Sequence, residues 1–414
     1  MNLLYKEYLK HKFNEMLEEE KLTYFKYRNF EYEKKLYDII DATINYIKEN
    51  TNIKFDCTYS LESETSNVNF LRSDVLKLTF DYYLRYKNKE IKDKYVILIP
   101  KLVYNHFFFL RGNLYVPTIK LKQYYTNYGK ERIIIRSLFT GLVIDHGGKI
   151  PFKEDHSKYV VSCFTGKKMP FEIFIYELFK NDKDFLEEIS EYYKYDFTKK
   201  KKHTKASRQF ISHLSNVFDK TGERNLDEIL SNMILDKFSK HALETEVGFE
   251  IDRISKLVKF LFRKAFKLPK DYVDKEKDLA DLKNRRFVFI EDILNKFFLN
   301  IFMFLIKLST GHENIKMKVK PEVLITDFVV NGKYLYDRAA VYSSVQSCIS
   351  VQMDGGDVRK YMRRLHPSYF RRICCISTSS SSPGETVHVN PNLELTYHGY
   401  IKDLFVPLSK REVK

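Results

Sequence analysis

The sequence predicts a mixed α+β fold divided over several domains, and three observations support this. Apolar residues recur at helical spacing in residues 1–50 and within residues 171–266, whereas β-branched and aromatic residues dominate residues 67–128. The second helical stretch therefore lies between strand-rich flanks, a segregation typical of α+β proteins. With 414 residues, the chain is also long enough for two or three separate hydrophobic cores.

The first 130 residues are predicted to change from helices to strands. Charged and apolar positions alternate at helical spacing in residues 1–50, which favours two amphipathic helices. The run K-Y-V-I-L-I-P-K at residues 94–101 predicts a strand that ends at Pro100. In the aromatic run that follows, the sequence R-G-N at residues 111–113 indicates a hairpin turn.

Residues 133–164 predict further strands, and helical periodicity follows in residues 171–195, 225–241 and 249–266. This part of the chain also contains its densest basic run. Two interpretations stay open for that run: a solvated loop or helix end, and a contact to the phosphate backbone of nucleic acid. Its members are Lys199, Lys200, Lys201, Lys202, His203, Lys205 and Arg208.

The segment D-L-A-D-L-K-N-R-R-F at residues 278–287 precedes the most apolar run of the chain, residues 287–308. Charged side chains inside that run exclude a bilayer span, so it predicts a long buried helix. The acidic residues before it favour the positive N-terminus of such a helix. Arg285 and Arg286 either pair with those carboxylates or reach phosphate groups.

Residues 361–401 contain two arginine pairs that bracket a His-Pro turn. Each guanidinium presents a planar fork of donors suited to phosphate, so this arrangement indicates a polyanion site. Salt bridges to other chains are the alternative, and the histidine is expected to fix the turn rather than to transfer a proton. The candidate nucleic-acid contacts are Arg359, Lys360, Arg363, Arg364, His366, Arg371 and Arg372, with Arg285 and Arg286 upstream.

The overall composition agrees with an anionic partner. Lys and Arg number 71 against 55 Asp and Glu, a formal net charge of +16, which favours nucleic acid or an anionic membrane surface; lysines that merely keep the protein dispersed are the alternative. The five cysteines show no C-x-x-C pair, which argues against structural zinc and for a reduced intracellular setting. No signal-peptide core is present at the N-terminus, and we expect a cytoplasmic protein.

Three motifs, in this order, resemble the β subunit of multisubunit DNA-dependent RNA polymerases. The family's fork region runs R-D-V-H-P-(ST)-H-Y-G-R-(VIL)-C-P-I-E-T-P-E-G and later reaches Y-G-F; residues 363–378 follow it without a gap, and Y-H-G-Y falls at residues 397–400. The family's D-x-D-H-L-G-N-(RK)-R is similar to residues 278–286. Its protrusion domain also has a proline-ended strand before a hairpin, as at Pro100 and Gly112.

The resemblance implies four regions. Residues 1–150 are protrusion-like, residues 151–266 are lobe-like and mostly helical, residues 267–330 return to the protrusion with the long helix, and residues 331–414 are fork-like. One departure is clear, because the family's E-T-P-E-G is replaced here by a serine-rich run, which removes the acidic side chain at that position.

Family members perform two-metal nucleotidyl transfer, with Mg²⁺ held by aspartates of the β′ subunit. This chain lacks the D-x-D-G-D motif, so the resemblance implies a polymerase subunit that binds no cofactor itself and lines the cleft near downstream DNA and the RNA–DNA hybrid. The end at Lys414, soon after the fork motif, is similar to the split β subunits of giant (jumbo) bacteriophages. The implied partners are the C-terminal β fragment, β′ chains, a promoter-specificity subunit, DNA and RNA, and no membrane. The alternative is a stand-alone basic nucleic-acid-binding or virion scaffold protein.

Overall fold

The structure is a computed structural model. It describes residues 32–268 with gaps at 69–70, 87–88, 104–106, 117–118, 148–159 and 164–166. Beyond residue 268 it describes residues 281–288, 290–291, 294, 300–301, 303–305, 307, 321–326, 333–335, 347–350, 366–373, 386–388 and 393–411. The predicted first helix and the predicted buried thiols Cys374 and Cys375 lie outside the described residues.

Helix α1 (Tyr32–Asn50) opens the described chain and confirms the second of the two predicted N-terminal helices. Its apolar positions recur at helical spacing and are buried. Three long antiparallel strands follow, β1 (Lys54–Val68), β2 (Leu71–Tyr86) and β3 (Lys89–Pro100), with β2 in the centre. The predicted strand end at Pro100 is confirmed.

A second sheet contains the predicted hairpin. It has the order β14-β6-β5-β4, formed by β4 (Leu102–Val103), β5 (Phe107–Leu110), β6 (Asn113–Val116) and β14 (Lys333–Leu335). The hairpin turn is Arg111 and Gly112, whose φ angles of 47° and 76° match the type I′ turn that suits the twist of two-residue hairpins. Strand β14 brings the chain back beside β6 from more than 200 residues further along the sequence.

A five-stranded antiparallel sheet carries the helical region. Its strands, in sheet order, are β12 (Lys168–Pro170), β11 (Val160–Cys163), β10 (Gly141–Asp145), β9 (Arg132–Arg136) and β8 (Thr126–Tyr128). Six helices follow: α2 (Phe171–Phe179), α3 (Lys183–Tyr193), α4 (Lys205–Phe218), α5 (Leu226–Ile234), α6 (Lys237–Val247) and α7 (Ile254–Phe266).

The helical region is more divided than its periodicity predicts. Residues 171–195 and 225–241 each read as one helix, but Asp182 and Asp236 interrupt them as N-caps that accept hydrogen bonds from Phe185 N–H and Ser239 N–H. Aspartate favours this position because its side chain satisfies an otherwise unpaired backbone donor. Capping therefore ends one helix and starts the next within a continuous apolar pattern.

A fourth sheet joins distant parts of the chain in the order β13-β7-β15-β16, with β7 (Ile119–Gln123), β13 (Arg285–Val288), β15 (Ser347–Ser350) and β16 (Thr386–His388). The long helix predicted from residue 287 therefore starts later, because Phe287 and Val288 pair with β7. Described residues between 290 and 307 are helical and mostly buried, as predicted. None of the helices within the described ranges is long and apolar enough to cross a membrane.

Candidate nucleic-acid interface

A small apolar core brings the two polymerase-like motifs together. Leu282 of the first motif and Tyr369 and Ile373 of the second are all buried in it, beside Phe287 of β13. The remaining buried members are Leu121, Leu393, Ile401 and Leu404. Segments that lie more than 80 residues apart in the sequence thus form one local structure.

The His-Pro turn belongs to this structure. Residues Pro367–Tyr369 form a single 3₁₀ turn, and Nδ1 of His366 accepts a hydrogen bond from Ser368 N–H at 3.1 Å. The Ser368 hydroxyl lies 2.8 Å from the same nitrogen and accepts a hydrogen bond from Leu282 N–H at 2.9 Å. Because Nδ1 is an acceptor, the neutral ring carries its proton on Nε2. These contacts are those of a residue that fixes the turn, and they tie the two motifs to each other.

The arginines of the second pair lie in different environments. Arg372 Nη1 donates to the carbonyl oxygens of Ser368 and Phe370, each at 3.2 Å, and its Nη2 pairs with Asp403. Arg371 is exposed, adopts a left-handed backbone with φ of 62°, and places its guanidinium 5.5 Å from the centroid of the Phe370 ring. Arg372 therefore holds the backbone of the turn, while Arg371 faces solvent.

An open groove of about 560 Å³ lies beside this turn. Its cations are Arg371, Arg372 and Lys402, and its carboxylates are Glu394 and Asp403. Lys402 pairs with Glu394 at 3.1 Å, and Arg372 pairs with Asp403, so each carboxylate has a basic partner within the groove. Phe370 and Leu393 supply its apolar surface.

Arg285 and Arg286 lie on β13 and are only 2 % and 7 % exposed. The Arg286 guanidinium stacks on the Tyr125 ring at 3.9 Å from its centroid and lies 3.9 Å from Glu291. Burial at this level removes both arginines from the surface, which favours the pairing interpretation over a direct phosphate contact. Cations so deeply buried need charged or aromatic neighbours, and Glu291 and Tyr125 fill that role for Arg286.

Sequence reasoning missed Glu246 on α6, which is completely buried. Its carboxylate accepts hydrogen bonds from Tyr125 N–H and Thr126 N–H, each at 2.7 Å, and from the hydroxyls of Thr126 and Tyr400, each at 2.6 Å. A carboxylate with four donors satisfies its acceptor sites inside the protein. An isolated Glu in a helix carries no signal of such a role in the sequence.

Tyr400 belongs to residues 393–411, which we call the C-terminal strap. The strap contacts α1 through Lys35, whose Nζ donates to the Tyr397 carbonyl at 3.1 Å, and it contacts β13, where Phe287 N–H donates to the Gly399 carbonyl at 2.7 Å. Gly399 has a φ of 83°, and its α-carbon packs against the Phe287 carbonyl so closely that a Cβ would overlap it. The Y-H-G-Y motif is therefore the point at which the strap binds the body of the protein.

His398 of the strap is 3 % exposed, and neither ring nitrogen has a hydrogen-bond partner among the described residues. Burial, together with the positive charges of Lys35, His241 and Arg286, lowers its pKa to about 3. The imidazole is therefore neutral at physiological pH and acts as a packing group against Phe238 and His241.

The basic run at residues 199–208 forms a loop that leads into α4, with Thr204 as the N-cap. Lys200, Lys202, Lys205 and Arg208 are exposed, whereas His203 Nε2 lies 3.0 Å from a Glu177 carboxylate oxygen. The loop-or-helix-end interpretation is confirmed as a description of the backbone. The phosphate-contact interpretation stays a prediction for the exposed cations.

Four of the predicted contacts, Arg359, Lys360, Arg363 and Arg364, lie outside the described residues. Of the other five, Arg371, Arg372 and His366 come together at one turn, and Arg285 and Arg286 lie beneath it in the protein interior. Within the described ranges, no group of three or more His, Cys, Asp or Glu side chains is arranged to hold a metal ion.

The chain matches no protein-family model. It also matches no curated protein sequence. Any functional assignment therefore depends on the motifs and on the geometry of the turn, the groove and the strap.

Proposed function

We propose that this chain is the N-terminal part of the β subunit of a phage-type multisubunit DNA-directed RNA polymerase. In that role it lines the cleft near downstream DNA and the RNA–DNA hybrid, in the cytoplasm of an infected bacterial cell. Its partners are a chain that supplies the C-terminal part of β, β′ chains that hold the catalytic Mg²⁺, and a promoter-specificity subunit.

The observation that carries the proposal is the backbone of Arg371. The family pattern R-D-V-H-P-(ST)-H-Y-G-R has glycine at this position, and Arg371 adopts a φ of 62°, which is the left-handed region that glycine adopts at no steric cost. Only four described non-glycine residues have positive φ. A chance match of letters gives no reason for a left-handed residue where the pattern has its glycine.

Spatial convergence adds support. The similarities to D-x-D-H-L-G-N-(RK)-R, to the fork motif and to Y-G-F lie far apart in the sequence, yet Leu282, Tyr369 and Ile401 share one core. Unrelated chance matches have no reason to meet in space. An ancestral arrangement of these three segments accounts for both their order and their contact.

The chemical role of the described residues is to bind and orient nucleic acid. Exposed guanidinium and ammonium groups contact phosphates without reading sequence, and the turn held by His366 and Arg372 keeps the groove in a fixed shape. The metal ions held by β′ supply charge stabilisation of phosphoryl transfer when bound.

A tagged pulldown of the chain from infected cells tests the proposal. We expect mass spectrometry to find chains with the D-x-D-G-D motif, and the recovered complex to extend an RNA primer with NTPs and Mg²⁺. The double variant R371A/R372A is expected to lower synthesis, whereas K92A/K94A, two exposed lysines on β3, serves as a control with the same charge change. Recovery of the chain alone, with DNA binding and no synthesis, would favour the stand-alone binding protein instead.

A further inference from the structure

Phe370 is the most exposed large apolar residue among those the structure describes, at 68 %. It follows the 3₁₀ turn and forms one end of the groove, opposite the strap residues Leu393 and Lys402. An isolated exposed aromatic ring is costly to leave in water, and beside a cleft it commonly marks a binding surface.

The ring stands on a rigid support. Arg372 donates to the carbonyls of Ser368 and Phe370, and Asp403 of the strap fixes the same guanidinium. The left-handed backbone at Arg371 then turns the chain away, so the Phe370 backbone is held from both sides. A pre-organised ring loses little conformational entropy when a ligand stacks on it.

The groove has the charge pattern of a site for an anion with a flat apolar part. Its three cations exceed its two carboxylates, and both carboxylates are engaged in ion pairs. Its volume of about 560 Å³ lies within the range of small-molecule sites and accommodates one nucleotide. A base offers a π-face to Phe370, and its phosphate offers negative charge to Arg371 and Lys402.

We propose that Phe370 is a stacking platform for one unpaired base of single-stranded nucleic acid, with Arg371 at the adjoining phosphate and Arg372 as a positioning residue. This inference rests on the proposed function, since it takes nucleic acid as the ligand and adds that the bound form is unpaired. Bases in a duplex keep their faces stacked on each other, whereas an unpaired base is free to stack on an aromatic side chain.

The test uses the full chain and a labelled 12-nucleotide single-stranded DNA in which one base is 2-aminopurine. Wild-type protein is expected to quench the 2-aminopurine fluorescence on binding. F370A is expected to bind this strand about tenfold more weakly and to lose the quenching, because stacking on one aromatic residue contributes about 1–3 kcal/mol. F370W is expected to retain both, and L71A, at an exposed leucine on β2 (50 % exposed), controls for loss of apolar surface.

Two further measurements separate stacking from other roles. Duplex DNA of the same sequence is expected to bind wild type and F370A equally, and R372A is expected to reduce quenching even at saturating protein, because the ring is then no longer held in place. Equal affinity of wild type and F370A for the single strand, as expected if Phe370 instead contacts a partner protein, would overturn the inference. An equal loss on the duplex would overturn it as well.

These binding measurements use the isolated chain and need neither RNA synthesis nor partner subunits. The stacking inference therefore fails or succeeds separately from the pulldown that tests the polymerase proposal.

Discussion

Glu246 links helix α6, strand β8 and the C-terminal strap through one buried carboxylate. The variant E246Q replaces one acceptor oxygen with an NH₂ group that faces two donors, so we expect the free energy of unfolding to fall by about 2–4 kcal/mol. Urea denaturation of the full chain measures this loss.

The matched control for this substitution is E244Q, two residues earlier on the same helix. The Glu244 carboxylate accepts a hydrogen bond from Ile251 N–H at 2.9 Å and lies at the surface of the helix, where water replaces lost contacts. We expect E244Q to cost less than about 1 kcal/mol. Equal losses for the two variants would show that the buried network contributes nothing beyond an ordinary surface carboxylate.

Asp236, the N-cap of α6, is 1 % exposed, and burial raises its pKa to about 6 despite its hydrogen bonds to Ser239. Between pH 4 and 6 the folded state therefore holds a proton that the unfolded state has lost, so stability falls as pH rises through this window. D236N keeps the capping oxygen and removes the charge. We expect a gain of about 1–2 kcal/mol at pH 7 that disappears at pH 4.

The N-cap Asp182 provides the comparison for D236N. Its carboxylate is partly exposed and pairs with Lys259 at 2.6 Å, so D182N removes a favourable partner rather than an unfavourable charge. We expect D182N to leave stability unchanged or slightly lower at pH 7. A loss of stability in D236N at pH 7 would contradict the assignment of a destabilising buried charge at Asp236.

The strap depends on the close approach of Gly399 to β13. Gly399 and Gly112 have similar φ angles of 83° and 76°, but only at Gly399 would a Cβ overlap a neighbour, whereas the space around Gly112 is open. We expect G112A to cost about 1 kcal/mol from backbone strain and G399A about 3 kcal/mol or more. Thermal unfolding with limited proteolysis of the strap distinguishes the two variants, and equal costs would show that the strap does not need this contact.

Among the elements, local patterns predicted the hairpin at β5 and β6 and the strand that ends at Pro100, because turn chemistry and β-branched runs lie within a few residues. Strand β13 was predicted as the start of a helix from Phe287 onward. Its apolar residues suit either structure, and pairing with β7 together with the Gly399 contact decides for the strand. The helix breaks at Asp182 and Asp236 depend on capping within an apolar pattern that periodicity alone does not divide.

At the level of the whole molecule, the excess of basic residues predicts binding that weakens with salt. K200Q/K202Q removes two exposed cations before α4, and K92Q/K94Q removes two on β3, where Asp93 lies between them. If the residue 199–208 loop contacts phosphates, the slope of log K against log salt should become shallower by about 1.5–2 for the first variant and change little for the second. Titration of duplex DNA by fluorescence anisotropy measures both slopes, and equal slopes would favour the solvated-loop interpretation.

The sequence by itself determined the α+β class, the basic charge and the order of the motifs, since these depend on composition and on neighbours along the chain. It did not distinguish the arginine pairs, because Arg285-Arg286 and Arg371-Arg372 are chemically identical in sequence. Tertiary structure decided their roles: β13 buries the first pair between the strap, β7 and α1, whereas the left-handed turn exposes Arg371 and gives Arg372 to its own backbone. The physical reason is that the burial of a charge is set by residues far away in the chain, and no local pattern records them.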